Sequence, residues 1–344
     1  MLQPLTGVRV LDLSRILAGP HAAQSLADLG ATVTKVEAPW GDDTREWGPP
    51  FQPGFDGKEV ASYFLSCNRG KTIVQANIKE EKGRLLAMMA DVDVVLENFK
   101  PGTLESYLGP LPKHLIVCSI SGYGQTGPRR DEPAFDLTMQ ARSGIMSITG
   151  DANGPPAKVG VAWIDVMTGM NAVSSVLAAL FHRERTGQGS RIDLSLWDTA
   201  IAALVNQGHN ALAGMTPVRM GTAHPNLVPY RVFEAADGWF ALGVGSTRQW
   251  GALVIALELD VPERWRDNKV RIEEREQVEA CVQEAMSTRS RASLESMLDG
   301  IPCAPVNTVS EALHDQQSRA RGAVVDHLGV KTLASPFRHI QPSE

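Results

Sequence analysis

GVRVLDLSRILAGPHAAQSLADLGATVTKVE, residues 7–37, decides the fold class. Val8 to Leu13 reads as a strand, His21 to Leu29 as a helix closed by Gly30, and Ala31 to Glu37 as a second strand, which together make a βαβ unit. The alternation continues outward: strand Thr72 to Ile78, helix Glu80 to Ala90, strand Val92 to Glu97, a Phe-Lys-Pro-Gly turn with a short helix, then strand Leu115 to Ser119. Strands that alternate with helices predict a parallel sheet covered on both faces, with ligands at the loops leaving the carboxyl ends of the strands. Beyond Tyr123 come a helix around Leu137 to Ile148, a long helix from Asp165, a strand Arg191 to Leu196 and a helix from Trp197.

The texture changes between Asn206 and Gly221, where polar, Gly- and Pro-bearing sequence predicts a linker. Leu227 to Phe233 and Trp239 to Val244 flank Ala-Asp-Gly as a β-hairpin, followed by helices near 247–257, 272–286 and 291–298. The expected organisation is α/β: a large Rossmann-like domain over 1–205, a linker over 206–223, a small α+β domain over 224–306, and a return segment over 307–344. IPCAPV, residues 301–306, is expected to lead back to the first domain.

With 344 residues, 43% of them apolar, the chain can bury a substantial core. A formal net charge of -6 gives no basic field, so nucleic acid is not an expected partner. Four cysteines far apart, with no Cys-x-x-Cys, and an opening MLQPLTGVRV without a signal-peptide pattern fit a reducing cytoplasm. Val166 to His182 contains Asn and Ser and falls short of the roughly 20 residues of a bilayer span. No membrane segment is expected. The His residues lack metal spacing, so no bound metal is expected.

Asp165 stands out because it places a lone carboxylate where an uncharged stretch becomes an apolar helix. Val166, Met170, Val173, Leu177 and Leu180 recur at helical spacing, and Arg183 and Arg185 precede a Thr-Gly-Gln-Gly stop. Taken alone, such an aspartate reads as a helix cap, accepting backbone N–H bonds at the positive end of the dipole. The functional alternative is a nucleophile, since a carboxylate of ordinary pKa, about 3.9, is ionised at pH 7 and needs no general base. Asp136 in PAFDL reads the same way, as a cap of the helix that follows it.

The first strand-to-helix loop, SRILAGPH, lacks the Gly-x-Gly-x-x-Gly of a dinucleotide fold, which disfavours NAD. Arg15, Lys71, Lys79 and Lys100 fall beside strand ends and could ring a phosphate-bearing ligand, although solvated surface charge explains each one singly. His224 and Asn226 lie in GTAHPNLVPY, either a turn-rich start of the second domain or a substrate loop.

Taken together, GVRVLDLSRILAGP, ATVTKVEAPWGDDTR, NRGKTI, LENFKPG, SGYGQTGP, PAFDLTMQARSG, IDVMTGM, LFHRERTGQGSRID and IPCAPV resemble the family III CoA-transferases, the CaiB/BaiF family typified by formyl-CoA transferase. The motifs match in order over nearly the whole chain. The resemblance makes Asp165 the catalytic aspartate and implies a Rossmann-like large domain plus a small domain in an interlocked homodimer. Coenzyme A and acyl-CoA would be substrates rather than resident cofactors. The family's CoA-binding positions fall on Leu17 and Ala18, on Ala76, Asn77, Ile78 and Lys79, and on Asn98, Phe99 and Lys100. Ala38, Ser106 and Pro133 stand where formyl-CoA transferase has basic residues. Arg15, Arg45, Lys71 and Lys100 could supply that charge instead. The family's glycine-rich substrate loop is replaced by GTAHPNLVPYRVF, similar to the branch that uses dicarboxylic acids with succinyl-CoA as donor, which makes His224 and Asn226 the expected substrate-binding residues.

The reaction so implied passes CoA from donor to acceptor through an aspartyl anhydride and an aspartyl-CoA thioester. Each tetrahedral step needs N–H donors, sought at the start of the Asp165 helix or in the loop around Gly221. Two readings compete. An α-methylacyl-CoA racemase shares the aspartate, but carries His where Phe135 stands, and Phe cannot move a proton. A non-catalytic CoA-binding protein would need no carboxylate beside the thioester.

Overall fold

The computed structural model describes residues 2–337 and 340. Along the chain, β1 (Arg9–Asp12) and β2 (Thr32–Glu37) are followed by a small antiparallel hairpin, β3 (Phe51–Pro53) and β4 (Glu59–Ala61). Then come β5 (Lys71–Gln75), β6 (Val94–Glu97), β7 (Ile116–Ser121) and β8 (Arg191–Ser195). Six of these form one parallel sheet in the order β5-β2-β1-β6-β7-β8. Among sheet strands alone this is the doubly wound order 3-2-1-4-5-6, so the chain reverses direction across the sheet between β1 and β6.

Both faces are covered, and the strands divide their side chains between them with the expected period of two. Val10, Val94, Leu96, Ile116, Cys118 and Ile120 join the cluster under the helices Ala18–Asp28 and Trp163–Thr186. Leu11, Leu13, Val95 and Val117 join the opposite cluster under Lys82–Ala90 and Thr103–Leu108. Gly169 lets the first two helices approach closely: a Cβ there would lie 2.8 Å from the Ala18 carbonyl oxygen. The helix Trp163–Thr186 has the length and mean hydropathy, 1.5, of a membrane span, and here Ile164, Ala172, Val173 and Val176 bury one side of it against the sheet.

The chain divides into two units, 1–145 with 158–215 and 316–344, and 146–157 with 216–315. The second contains an antiparallel sheet of β9 (Tyr230–Ala235), β10 (Gly238–Gly243) and β11 (Cys303–Pro305), with Phe233, Phe240, Trp250, Val278 and Val282 in its core. Several sequence boundaries move. Residues 146–157, expected in the large domain, group with the second unit, where the Gly221 N–H donates to the Gly150 carbonyl at 3.0 Å and Arg219 donates to the Asp151 and Gly154 carbonyls. The start of the expected 206–223 linker is helical, as part of Val205–Leu212. IPCAPV does not lead back; its Cys303 pairs with Leu242 inside the second unit, and the return to the first unit begins at Gln316. That return forms a hairpin, β12 (Val324–His327) and β13 (Val330–Leu333). The expected helix 137–148 is two pieces, Asp136–Arg142 and Ile145–Ile148, separated at Gly144 with φ +91°.

Candidate active site

Asp165 sits in the first turn of the helix Trp163–Thr186, but it does not cap that helix. The capping carboxylate comes from 28 residues away: Asp136 Oδ2 accepts the Ile164 N–H at 2.7 Å, while Gln140 Nε2 donates to Asp136 Oδ1 at 2.6 Å. Gln140 Oε1 in turn accepts the Val159 N–H at 2.9 Å, so one buried amide fixes both Asp136 and the approach to the helix. Asp136 therefore serves the Asp165 helix rather than only its own, where Phe135 occupies the cap position and Thr138 Oγ1 accepts the Phe135 N–H.

With that role taken, no described residue donates a hydrogen bond to the Asp165 carboxylate. Burial first, and the neighbouring Asp136 charge second, push its pKa from the ordinary 3.8 up to about 7. A free aspartate expected to be fully ionised at neutral pH is thus poised between its two states, a condition characteristic of reactive groups. Tyr63, beside it, keeps its proton: burial and then the Asp165 charge push the phenol to about 12.

Asp165 borders two spaces. One is a cavity of about 860 Å³ whose walls include Trp47, Tyr63, Val161, Met170 and Leu333, with His21 among its polar groups. The other is a narrower pocket of about 110 Å³ at the carboxyl ends of β1, β6 and β7, between Arg15–Ala18, Asn98 and Phe135. This second pocket lies at the sheet's switch point, where an open α/β sheet receives its ligand.

The loops at that point are built to hold a fixed shape. Asn98 bridges them, its Oδ1 accepting the Arg15 N–H at 3.0 Å and its Nδ2 donating to the Arg15 carbonyl at 2.8 Å. Ile16 has φ +72°, a left-handed conformation costly for a β-branched residue and a mark of a loop held by its surroundings. Leu17 is the N-cap of Ala18–Asp28 and brings no side-chain bond, which leaves the first N–H groups of that helix uncapped beside Asp165. Of the expected CoA positions, Arg15, Leu17, Ala18 and Asn98 thus meet Asp165 in one pocket. Ala76, Ile78 and Phe99 meet each other in the apolar cluster on the sheet's other face. Asn77 folds a turn, its Oδ1 accepting the Lys79 N–H at 3.2 Å, and Lys79 and Lys100 are exposed.

Two of the cations expected to compensate for Ala38, Ser106 and Pro133 are otherwise engaged. The Lys71 side chain is buried and its Nζ donates to Asp12, Asn68 and the Pro20 carbonyl, each at 2.9 Å. Arg45 is paired bidentately with Glu37, at 2.8 and 3.1 Å, and stacks over Phe64. Lys35, bound to Asp42 at 3.0 Å and the Ser14 carbonyl at 2.8 Å, completes a buried charge network under the SRILAGP loop. Arg15, with a single contact to Asp43 at 3.4 Å, and Lys100 remain available.

His224 and Asn226 belong to the second unit. His224 Nδ1 accepts the Asn226 N–H at 3.0 Å and its ring packs on Tyr230, so the donor it can offer is Nε2–H. Arg231 in the same segment is paired with Glu279 at 2.7 Å. Among the described residues no group of three His, Cys, Asp or Glu is placed to hold a metal ion. The cavity walls supplied by His21, Trp47 and Tyr63 escaped the sequence reading. His21 was in view within AGPH, with only its helix position as a signal.

The chain is 43% identical over 339 residues to the succinate–glutarate CoA-transferase of Agrobacterium fabrum, covering 94% of this chain and 85% of that one. It is 38% identical over 326 residues to the succinyl-CoA:mesaconate CoA-transferase of Haloarcula marismortui, covering 90% and 82%. The crystal structure of a CaiB/BaiF family protein from Brucella suis superimposes with a TM-score of 0.88 at 42% identity, covering 98% of this chain and 93% of that one. The model of CoA-transferase family III matches residues 5–339, and the chain belongs to that family.

Proposed function

We propose that this CoA-transferase moves CoA from succinyl-CoA to a dicarboxylic acid of four or five carbons, with Asp165 as the covalent carrier. The observation that carries the reading is the Asp165 carboxylate, released from capping by Asp136 and open to a cavity at the switch point. The acids in the names of the similar enzymes, succinate, glutarate and mesaconate, support the substrate class.

In the first half-reaction an Asp165 oxygen attacks the thioester carbon and CoA thiolate leaves, giving a succinyl-aspartyl anhydride. The thiolate then attacks the aspartyl carbonyl, releasing succinate and leaving CoA on Asp165 as a thioester. The acceptor carboxylate attacks that thioester, expelling thiolate, which takes the acceptor's acyl carbon and frees Asp165. Ionised Asp165 is the reacting form, so the raised pKa makes the first attack sensitive to pH near neutrality. Within the two expected sources of oxyanion donors, the Ile164 N–H is held by Asp136 and the Gly221 N–H by Gly150. The uncapped N–H groups at Ala18 and Gly19 take that role in this reading, aided by the helix dipole.

His224 and Asn226 are the residues assigned to substrate binding from the second unit's GTAHPNLVPY segment. A second copy of the chain covers the exposed apolar side of Trp163–Thr186, where Phe181 is 65% exposed, and the unburied helix Val205–Leu212, where Leu212 is 86% exposed. Four unpaired cysteines support a cytoplasmic setting. Incubation with succinyl-CoA and a panel of acids, with mass spectrometry of the new thioesters, tests the assignment. Glutarate- or mesaconate-CoA as main product supports it, and a preference for formate overturns the acceptor class. Hydroxylamine trapping of Asp165 tests the carrier, and sedimentation at micromolar concentration tests the dimer.

A further inference from the structure

His21 is a polar residue of the Asp165 cavity that the reaction above does not use. It lies in the first turns of the helix Ala18–Asp28, packed against Gly169, one helical turn after Asp165. The fit is close: a Cβ on Gly169 would stand 3.0 Å from His21 Nδ1 and 3.4 Å from His21 Cβ. Nδ1 is sealed there without a hydrogen-bond partner, while the ring also borders the cavity that holds Asp165 and Tyr63.

The two ring nitrogens are therefore unequal. Burial and the Lys71 charge hold the imidazole below its ordinary pKa, against a weaker pull from Asp28, so the neutral ring carries one proton. An orphaned buried N–H is rarer than an orphaned acceptor, which places the lone pair on Nδ1 and the proton on Nε2. Gly169 thus fixes both the ring and its tautomer, leaving Nε2–H as the free donor on the cavity side.

We infer that His21 is a specificity-determining residue, whose Nε2–H binds an oxygen of the acid carried in the Asp165 cavity and favours diacids over monoacids of similar length. The inference rests on the dicarboxylate reading above. A cavity with walls of Trp47, Val161, Met170 and Leu333 holds an alkyl chain well, and the neutral donor lets a second carboxylate enter without being left unpaired. Lys158, the cation on the same wall, is already bound to the Val159 and Gly160 carbonyls at 2.9 and 3.3 Å. Arg69 is held bidentately by Asp28 at 2.7 Å.

The test compares wild type, His21→Phe and His21→Gln in transfer from succinyl-CoA to glutarate and to butyrate. Phe keeps the ring shape against Gly169 and removes the donor, whereas Gln returns an N–H near the Nε2 position. His21→Phe is expected to raise the KM for glutarate about tenfold while the KM for butyrate and for succinyl-CoA stays within about twofold, and Gln is expected to restore most of the loss. An unchanged glutarate-to-butyrate ratio in His21→Phe overturns the role of His21 and leaves the diacid reading standing. A wild type that does not favour glutarate overturns the diacid reading and this inference with it. Independently of activity, imidazole ¹⁵N shifts, assigned by difference from His21→Phe, are expected to report the Nε2–H tautomer at pH 7. A protonated Nδ1 overturns the argument.

Discussion

On the mechanism proposed above, replacing Asp165 by Asn removes the carrier and, by the same physics, strengthens the fold. In wild type the carboxyl titrates at about 7 when folded and at 3.8 when exposed, so ionisation penalises the folded state at every pH above the lower value. For a folded-state pKa that is raised, stability is fully present below 3.8 and is lost as pH rises through 7. The penalty amounts to about 0.5 kcal/mol at pH 4, about 1.5 at pH 5, and at most about 4 at pH 8. Solvent reaching the half-buried side chain lowers the last figure, and about 2–4 kcal/mol is the range expected. An amide of the same shape carries no such penalty, and no cap is lost because Asp136 supplies it. Urea unfolding of both proteins at pH 5 and pH 8 measures the difference, with CoA transfer assayed alongside. The variant is expected to lose transfer below detection and to gain stability that grows with pH. A variant less stable than wild type at pH 8, or a gain independent of pH, refutes the account of why this carboxylate is reactive.

The kcat/KM of wild type for succinyl-CoA is expected to fall about tenfold per pH unit below about 7, in stopped assays from pH 5.5 to 8.5; a flat profile to pH 5.5 contradicts the raised pKa. Lys71→Met is expected to cost about 3–5 kcal/mol by leaving Asp12 charged and buried without its partner, and to cost less when Asp12→Asn is added, as a denaturation cycle would show. Gly169→Ala pushes a methyl group onto the Ala18 carbonyl and His21, and a loss of about 1–3 kcal/mol in thermal or chemical unfolding is expected.

The sheet was legible because its signal is local. The alternation of apolar strand and amphipathic helix sits within windows of ten or so residues, and the strand ends moved by only a few positions. Asp165 was visible as an odd carboxylate, but its freedom depends on Asp136 reaching across 28 residues to take the Ile164 N–H, which no local pattern reports. The same reason explains why Lys71 reads as available in the sequence. A lysine beside a strand end looks available for phosphate until Asp12, 59 residues earlier, is found against it. Domain boundaries failed where a short segment, 146–157, joins a unit that the chain reaches again only after residues 158–215.

Two helices begin at Asp165's cavity, one with uncapped N–H groups at Ala18 and Gly19 and one with the carboxylate itself in its first turn. The uncapped end at Ala18 offers a diffuse positive potential to a carboxylate to which no described residue donates a hydrogen bond. Exchange of one thioester for another is close to thermoneutral, and such a reaction runs best when no station along it is a trap. A buried lysine beside Asp165 would clamp the free carboxylate of each departing acid, whereas a field spread over several peptide dipoles can steady thiolate, carboxylate and oxyanion in turn and release each of them. For the reaction proposed above, reversibility is in this sense a property of the helix end.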